Sequence, residues 1–125
     1  MKKILTSPEA PAAIGPYAQG VAAAGLVFVS GQLPIVLATG ELCQGAMAEQ
    51  TRQCMANIAA ILAQAGATLE NVVKTTICLK DLADFAEVND AYAAFFPADA
   101  PARACVQVAK LPKDARIEIE AVAAL

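Results

Sequence analysis

Histidine does not occur anywhere in the 125 residues of this chain. Nucleophile pairs of the Ser-His-Asp and Cys-His kinds are thereby excluded, as are zinc centres built on imidazole. Cysteine is present, but Cys43, Cys54, Cys78 and Cys105 lie far apart, with no C-x-x-C pair and no ligand-like spacing. No metal site is expected. Long apolar runs are missing too. The start, Met1-Lys2-Lys3-Ile4-Leu5, lacks the apolar stretch of a signal peptide, and no segment could span a membrane. The thiols are therefore expected to be reduced, in a cytoplasmic protein.

Charge is the next scarcity. Only 17% of residues are charged and 58% are hydrophobic, against roughly 25% charged in typical soluble domains. Alanine inflates the apolar count, yet a domain this small has too much surface to leave so little of it charged. Part of that surface is expected to be buried in a homo-oligomer. The net charge of −3 and a pI of about 4.8 argue against nucleic acid, whose phosphates reward clustered Lys and Arg. No repeat, low-complexity tract or linker divides the chain, so residues 1–125 read as a single domain.

The pattern predicts two strands, a helix, a strand, a helix and two strands. Gln19 to Ala23 and Leu26 to Ser30 flank a turn at Gly25 and read as a hairpin, ended by Gly31-Gln32-Leu33-Pro34. Met47, Thr51, Cys54, Met55, Ile58, Ile61 and Leu62 recur at helical spacing between about Ala46 and Ala65, and Gly66 stops the helix. Val72 to Leu79 is rich in β-branched residues. Asp84-Phe85-Ala86-Glu87 reads as the cap of a second helix, with a carboxylate three residues on, ended by Pro97 and Pro101. This order predicts an α+β sandwich, both helices on one face of a mixed sheet. Val27, Val29, Ile77, Leu79, Val106 and Val108 make the strands apolar on both sides, so neighbouring subunits are expected to cover the second face.

The chemistry-bearing residues gather near the C-terminus. Arg103 and Cys105 alternate on one segment, and Glu118 and Glu120 on another, so each pair shares a face. If Leu111 to Asp114 is a turn between adjacent antiparallel strands, one small acid could meet all four groups. A guanidinium grips a carboxylate through two parallel hydrogen bonds, and a glutamate can orient a water or take its proton. The segment reads as a site for a small carboxylic acid. Taken singly, each residue also has an ordinary role. Arg103 can be an ion-pair residue, Cys105 a small buried apolar group, and the glutamates the wet face of an edge strand.

The sequence resembles the RidA/YjgF family of reactive-intermediate deaminases along nearly its whole length. The resemblance rests on Ala12-Ala13-Ile14-Gly15-Pro16-Tyr17, Ser30-Gly31-Gln32-Leu33-Pro34, Thr39-Gly40-Glu41, Val73-Lys74-Thr75-Thr76, Asp84-Phe85 with Val88-Asn89, Pro101-Ala102-Arg103-Ala104-Cys105, and Leu111-Pro112-Lys113 leading into Ile117-Glu118-Ile119-Glu120. Seven motifs in one order are specific where any one would be weak. The resemblance implies a chorismate-mutase-like homotrimer with sites at subunit interfaces and no cofactor. It also implies hydrolysis of 2-imino acids such as 2-iminobutanoate and 2-iminopropanoate, released by pyridoxal-phosphate-dependent dehydratases, to 2-keto acids and ammonia. Arg103 is implied to bind the substrate carboxylate, the Cys105 backbone to contact the imine region, and Glu118 to position the attacking water. Tyr17, Ser30, Gly31 and Asn89 match pocket positions. Two alternatives from other classes stand beside this reading: an endoribonuclease that inhibits translation, and a small-acid-binding trimer without turnover. A covalent route through the Cys105 thiol is a further possibility, with Arg103 as its only evident activator.

Overall fold

The computed structural model describes residues 1–125. In chain order the elements are β1 (Lys3–Leu5), β2 (Gly20–Ala23), β3 (Leu26–Gln32), β4 (Ile35–Val36), β5 (Glu41–Leu42), α1 (Met47–Ala63), β6 (Val72–Leu79), α2 (Phe85–Ala93), β7 (Ala102–Gln107) and β8 (Ile117–Ala124). Six strands form one sheet in the order β1-β2-β3-β8-β6-β7, and β4 and β5 pair separately. The sheet is mixed: β7 runs parallel to β6, and every other neighbouring pair is antiparallel. A parallel pair needs a crossover, and α2 supplies it between β6 and β7.

Both helices lie on one face, as the α+β reading expected. The apolar stripe of α1 explains its place: Cys54, Met55, Ile58, Ile61 and Leu62 are fully buried against Val27, Ile77, Leu79, Ile117, Ile119 and Ala123. Fully burying an aliphatic side chain of this size is worth about 1.5–3 kcal/mol, so this stripe outweighs the modest propensities of the individual residues. The β2–β3 hairpin closes through Ala24 (φ 52°) and Gly25 (φ 78°), two left-handed residues in the manner of a type I′ turn.

Three expectations are corrected. First, β7 and β8 are not neighbours. The segment from Leu111 to Asp114 does not join adjacent antiparallel strands, because β6 lies between them. Second, β3 does not end at Ser30 but continues to Gln32. Val29 pairs with Ala121 and Gln32 with Ile119, so Ser30 and Gly31 together oppose Glu120 in a β-bulge. Third, the strands are not apolar on both sides. Val27, Val29, Ile77 and Leu79 all point into the helix-covered core. The open face carries Val106, as expected, with Phe28 and Val122, but beside them Ser30, Lys74, Thr76, Cys78, Glu118 and Glu120, a mixture of apolar and polar groups.

Candidate active site

Arg103 stands on β7, the edge strand, opposite Thr75 of β6. Thr75 is buried in the helix-covered face, so Arg103 also rises on the helix side. There α2 receives it with residues one and two turns apart. Its Nη1 donates to Asn89 Oδ1 at 2.8 Å, and the guanidinium carbon lies 5.6 Å from the Phe85 ring centre and 5.0 Å from that of Tyr92. Those distances are within the range of cation–π attraction. The ion pairs of the chain are Lys80 with Asp114 and Arg116 with Asp84, so no carboxylate neutralises Arg103. A cation held by an amide oxygen and two rings keeps donors free for an anion. Beside it runs a groove of about 420 Å³, lined by Asn89, Tyr92, Ala93, Phe96, Ala100 and Pro101.

Cys105 follows on the same strand, level with Ile77, and packs against the core. Burial pushes its thiol pKa up, and the nearby Arg103 charge only partly opposes that. A thiol so placed stays protonated at neutral pH and is a poor nucleophile. Val108 N–H donates to Leu79 C=O at 2.9 Å. By the alternation of a parallel ladder, Arg103, Cys105 and Gln107 then turn their peptide groups outward along the free sheet edge.

Glu118 lies on the opposite face. It pairs with Cys78 in the β6–β8 register, between the core residues Ile117 and Ile119. Its carboxylate is folded down over the bulge. A methyl group built on Gly31 would sit 2.7 Å from Glu118 Cδ and 2.9 Å from Oε1. Gly31 has no positive φ, so its backbone would accept a side chain, and the close approach of Glu118 is what requires glycine there. Burial, and then the negative charge of Glu120, raise the Glu118 pKa. Burial and the same two glutamates also raise that of Cys78.

Ser30 and Tyr17 belong to this second face. Ser30 Oγ donates to Ala18 C=O at 2.6 Å, tethering the segment that carries Tyr17. Tyr17 is half exposed, with its hydroxyl accepting from Ile14 N–H at 3.3 Å. Ser30 and Glu120 line one hollow of about 410 Å³, and Tyr17 lines an adjoining one of about 860 Å³.

The predicted residues therefore fall into two groups. Arg103, Cys105 and Asn89 stand at the β7 edge on the helix side, and Tyr17, Ser30, Gly31 and Glu118 on or beside the open face. One strand and the thickness of the sheet separate Arg103 from Glu118, and β7 is about 10 Å from β8 across two strand spacings. The expectation that adjacent strands of one chain bring Arg103, Cys105, Glu118 and Glu120 around one acid is corrected. Sequence reasoning also missed the roles of Phe85, Tyr92 and Thr75 around Arg103. The spacing of Phe85, Asn89 and Tyr92 along one helix face was the available signal.

The profile of the family described as Endoribonuclease L-PSP matches residues 7–125. The chain belongs to the endoribonuclease L-PSP family. Among L-PSP family relatives, a 2-iminobutanoate/2-iminopropanoate deaminase of Escherichia coli K12 is 50% identical over 126 residues, spanning 98% of each chain. A RutC family protein of Pyrococcus horikoshii is 48% identical over 123 residues, again 98% of each. The crystal structure of E. coli TdcF with bound serine superposes with a TM-score of 0.93 at 44% identity, covering 98% of both chains. These agree with the RidA/YjgF resemblance of the sequence.

Proposed function

We propose that this protein hydrolyses 2-imino acids to 2-keto acids and ammonia, at sites completed by two copies of the chain in a homotrimer. The observation that carries the reading is the unneutralised Arg103 guanidinium, presented at a free strand edge by Asn89, Phe85 and Tyr92. The half-identity to a protein named 2-iminobutanoate/2-iminopropanoate deaminase supports it. Since Arg103 and Glu118 lie on opposite faces of one sheet, the Arg103 edge of one copy must meet the Glu118 face of another. Exposed Phe28 and Val106 give that open face an apolar component to bury.

The chemistry asks little of the protein. A 2-iminium acid has an electrophilic carbon beside a carboxylate and already reacts with water. Arg103 fixes the carboxylate, and the outward Cys105 N–H meets the imine region. Glu118 of the adjoining copy holds a water against the carbon in near-attack geometry. As the C–O bond forms, Glu118 takes the water's proton and the C=N pair moves onto nitrogen. Glu118 then returns that proton to nitrogen. The C–N bond breaks as the carbinol hydroxyl becomes the keto group and gives up its proton, leaving a 2-keto acid and ammonium. No redox step is involved. In this reading the imine comes from a pyridoxal-phosphate-dependent dehydratase.

A coupled assay tests this. A dehydratase generates 2-iminobutanoate, and keto-acid release is followed with and without the protein. Faster release in its presence is expected, and an unchanged rate would refute the activity. The serine held by TdcF favours a second reading, binding of a small acid without turnover. Glu118→Gln separates the two, because binding alone tolerates that loss. For ribonuclease activity, the net charge of −3 and the lack of histidine make a poor physical case.

A further inference from the structure

Thr75 is an anomaly on the buried face of β6. Its neighbours on that face, Val72, Ile77 and Leu79, are aliphatic, and a valine would fill the same volume. Instead a threonine, 1% exposed, places its hydroxyl 2.7 Å from that of Tyr92, itself 5% exposed. A buried hydroxyl needs a partner, and replacing both members by apolar groups of the same shape is close to neutral for stability. The pair is therefore not needed to fill or hold the core. It does fix the Tyr92 ring, and that ring lies 5.0 Å from the guanidinium of Arg103, the residue registered directly beside Thr75. Tyr92 also meets Phe96, with ring centres 5.0 Å apart and tilted by 46°.

We propose that Tyr92, clamped by Thr75, is a positioning residue that sets the plane of the Arg103 guanidinium, so that the donors left free by Asn89 face an incoming carboxylate. Asn89 fixes one nitrogen, and Phe85 stands farther off than Tyr92, at 5.6 Å, so without Tyr92 the group has room to swing about the Asn89 bond. A ring on one guanidinium face, anchored to the strand beneath, removes that freedom before the ligand arrives. The inference rests on Arg103 being the carboxylate grip of the proposed function.

The test measures binding of 2-ketobutanoate, an unreactive acid, by calorimetry, together with KM, kcat and Tm. Tyr92→Leu, which removes the ring face, should weaken binding about tenfold. KM should rise by a similar factor while kcat changes little, because a carboxylate grip serves ground state and transition state alike. Tyr92→Phe, which keeps the ring but loses the clamp, should recover only part of the affinity. The double variant Thr75→Val with Tyr92→Phe removes the hydroxyl pair from both sides, and should keep a near-wild-type Tm while binding about threefold more weakly. That last result distinguishes positioning from mere packing. Wild-type affinity in Tyr92→Leu, or in the double variant, would overturn the inference. So would a fall in kcat at unchanged KM. If the wild-type protein neither binds the keto acid nor hydrolyses imines, the underlying reading fails and this inference falls with it.

Discussion

Arg103 and Glu118 are opposite solutions to keeping a charge at a sheet. Arg103 has its cation stabilised by two ring faces and an amide oxygen, with no carboxylate to compete for its remaining donors. Arg103→Ala is expected to cut imine hydrolysis on the order of 100-fold or more with the fold intact, and Arg103→Lys to recover little, since a point charge cannot reproduce a bidentate grip. Steady-state kinetics beside a thermal melt would check both. Glu118 pays for its position. Its pKa is raised by burial and by Glu120, so the folded chain binds this proton more tightly than the unfolded chain does. Between the ordinary carboxylate value and the raised one, stability falls as pH rises. Glu118→Gln should therefore raise Tm at neutral pH and lose that advantage in acid, where the native carboxyl is protonated in both states. The same substitution should abolish turnover while leaving keto-acid binding largely in place. In the wild type, activity should rise with pH through the raised pKa, as expected of a base. Cys105→Ser should retain most activity, because the backbone is what faces the edge.

Among the elements, α1 and α2 are coupled in a way their sequences hide. Ala46, at the N-cap of α1, has no side chain with which to cap, and the exposed Ala48 N–H is taken at 2.8 Å by Glu87 of α2. Replacing Glu87 by alanine should cost about 1 kcal/mol and lower Tm by a few degrees in calorimetry, with no direct loss at Arg103. Helical spacing made α1 legible, and Gly25 between two β-rich runs made the hairpin legible. Asp84 misled. It does stand at the N-cap of α2 but makes no capping bond, and its carboxylate goes to Arg116 at 2.9 Å. The bulge was hidden because Ser30-Gly31 resembles a strand end, and only the extra residue against Glu120 reveals it. Strand order was hidden for a similar reason. Nothing within residues 102–120 says that β6, more than twenty residues earlier, comes to lie between β7 and β8. The motifs named the candidate residues, but alternation within each strand could not say which faces the two pairs share.

For the molecule as a whole, the separation of the two groups is the decisive fact. A sheet with Arg103 at one edge of its helix side and Glu118 on its bare side cannot close a site on itself, while repeating copies that set the edge of one against the face of the next can. Low charge content points the same way, and light scattering is expected to give a trimer at micromolar concentration. The most direct measurement is complementation. Chains carrying Arg103→Ala and chains carrying Glu118→Gln, bearing different tags, are co-expressed, and assemblies with both tags are purified. In a ring of three with both types present, whichever is in excess, one junction joins an intact Arg103 to an intact Glu118 of the next copy. Such assemblies should therefore recover about a third of the wild-type rate, although each variant alone is inactive. Doubly tagged assemblies without activity would contradict the account, because they would place both residues of each site in the same chain.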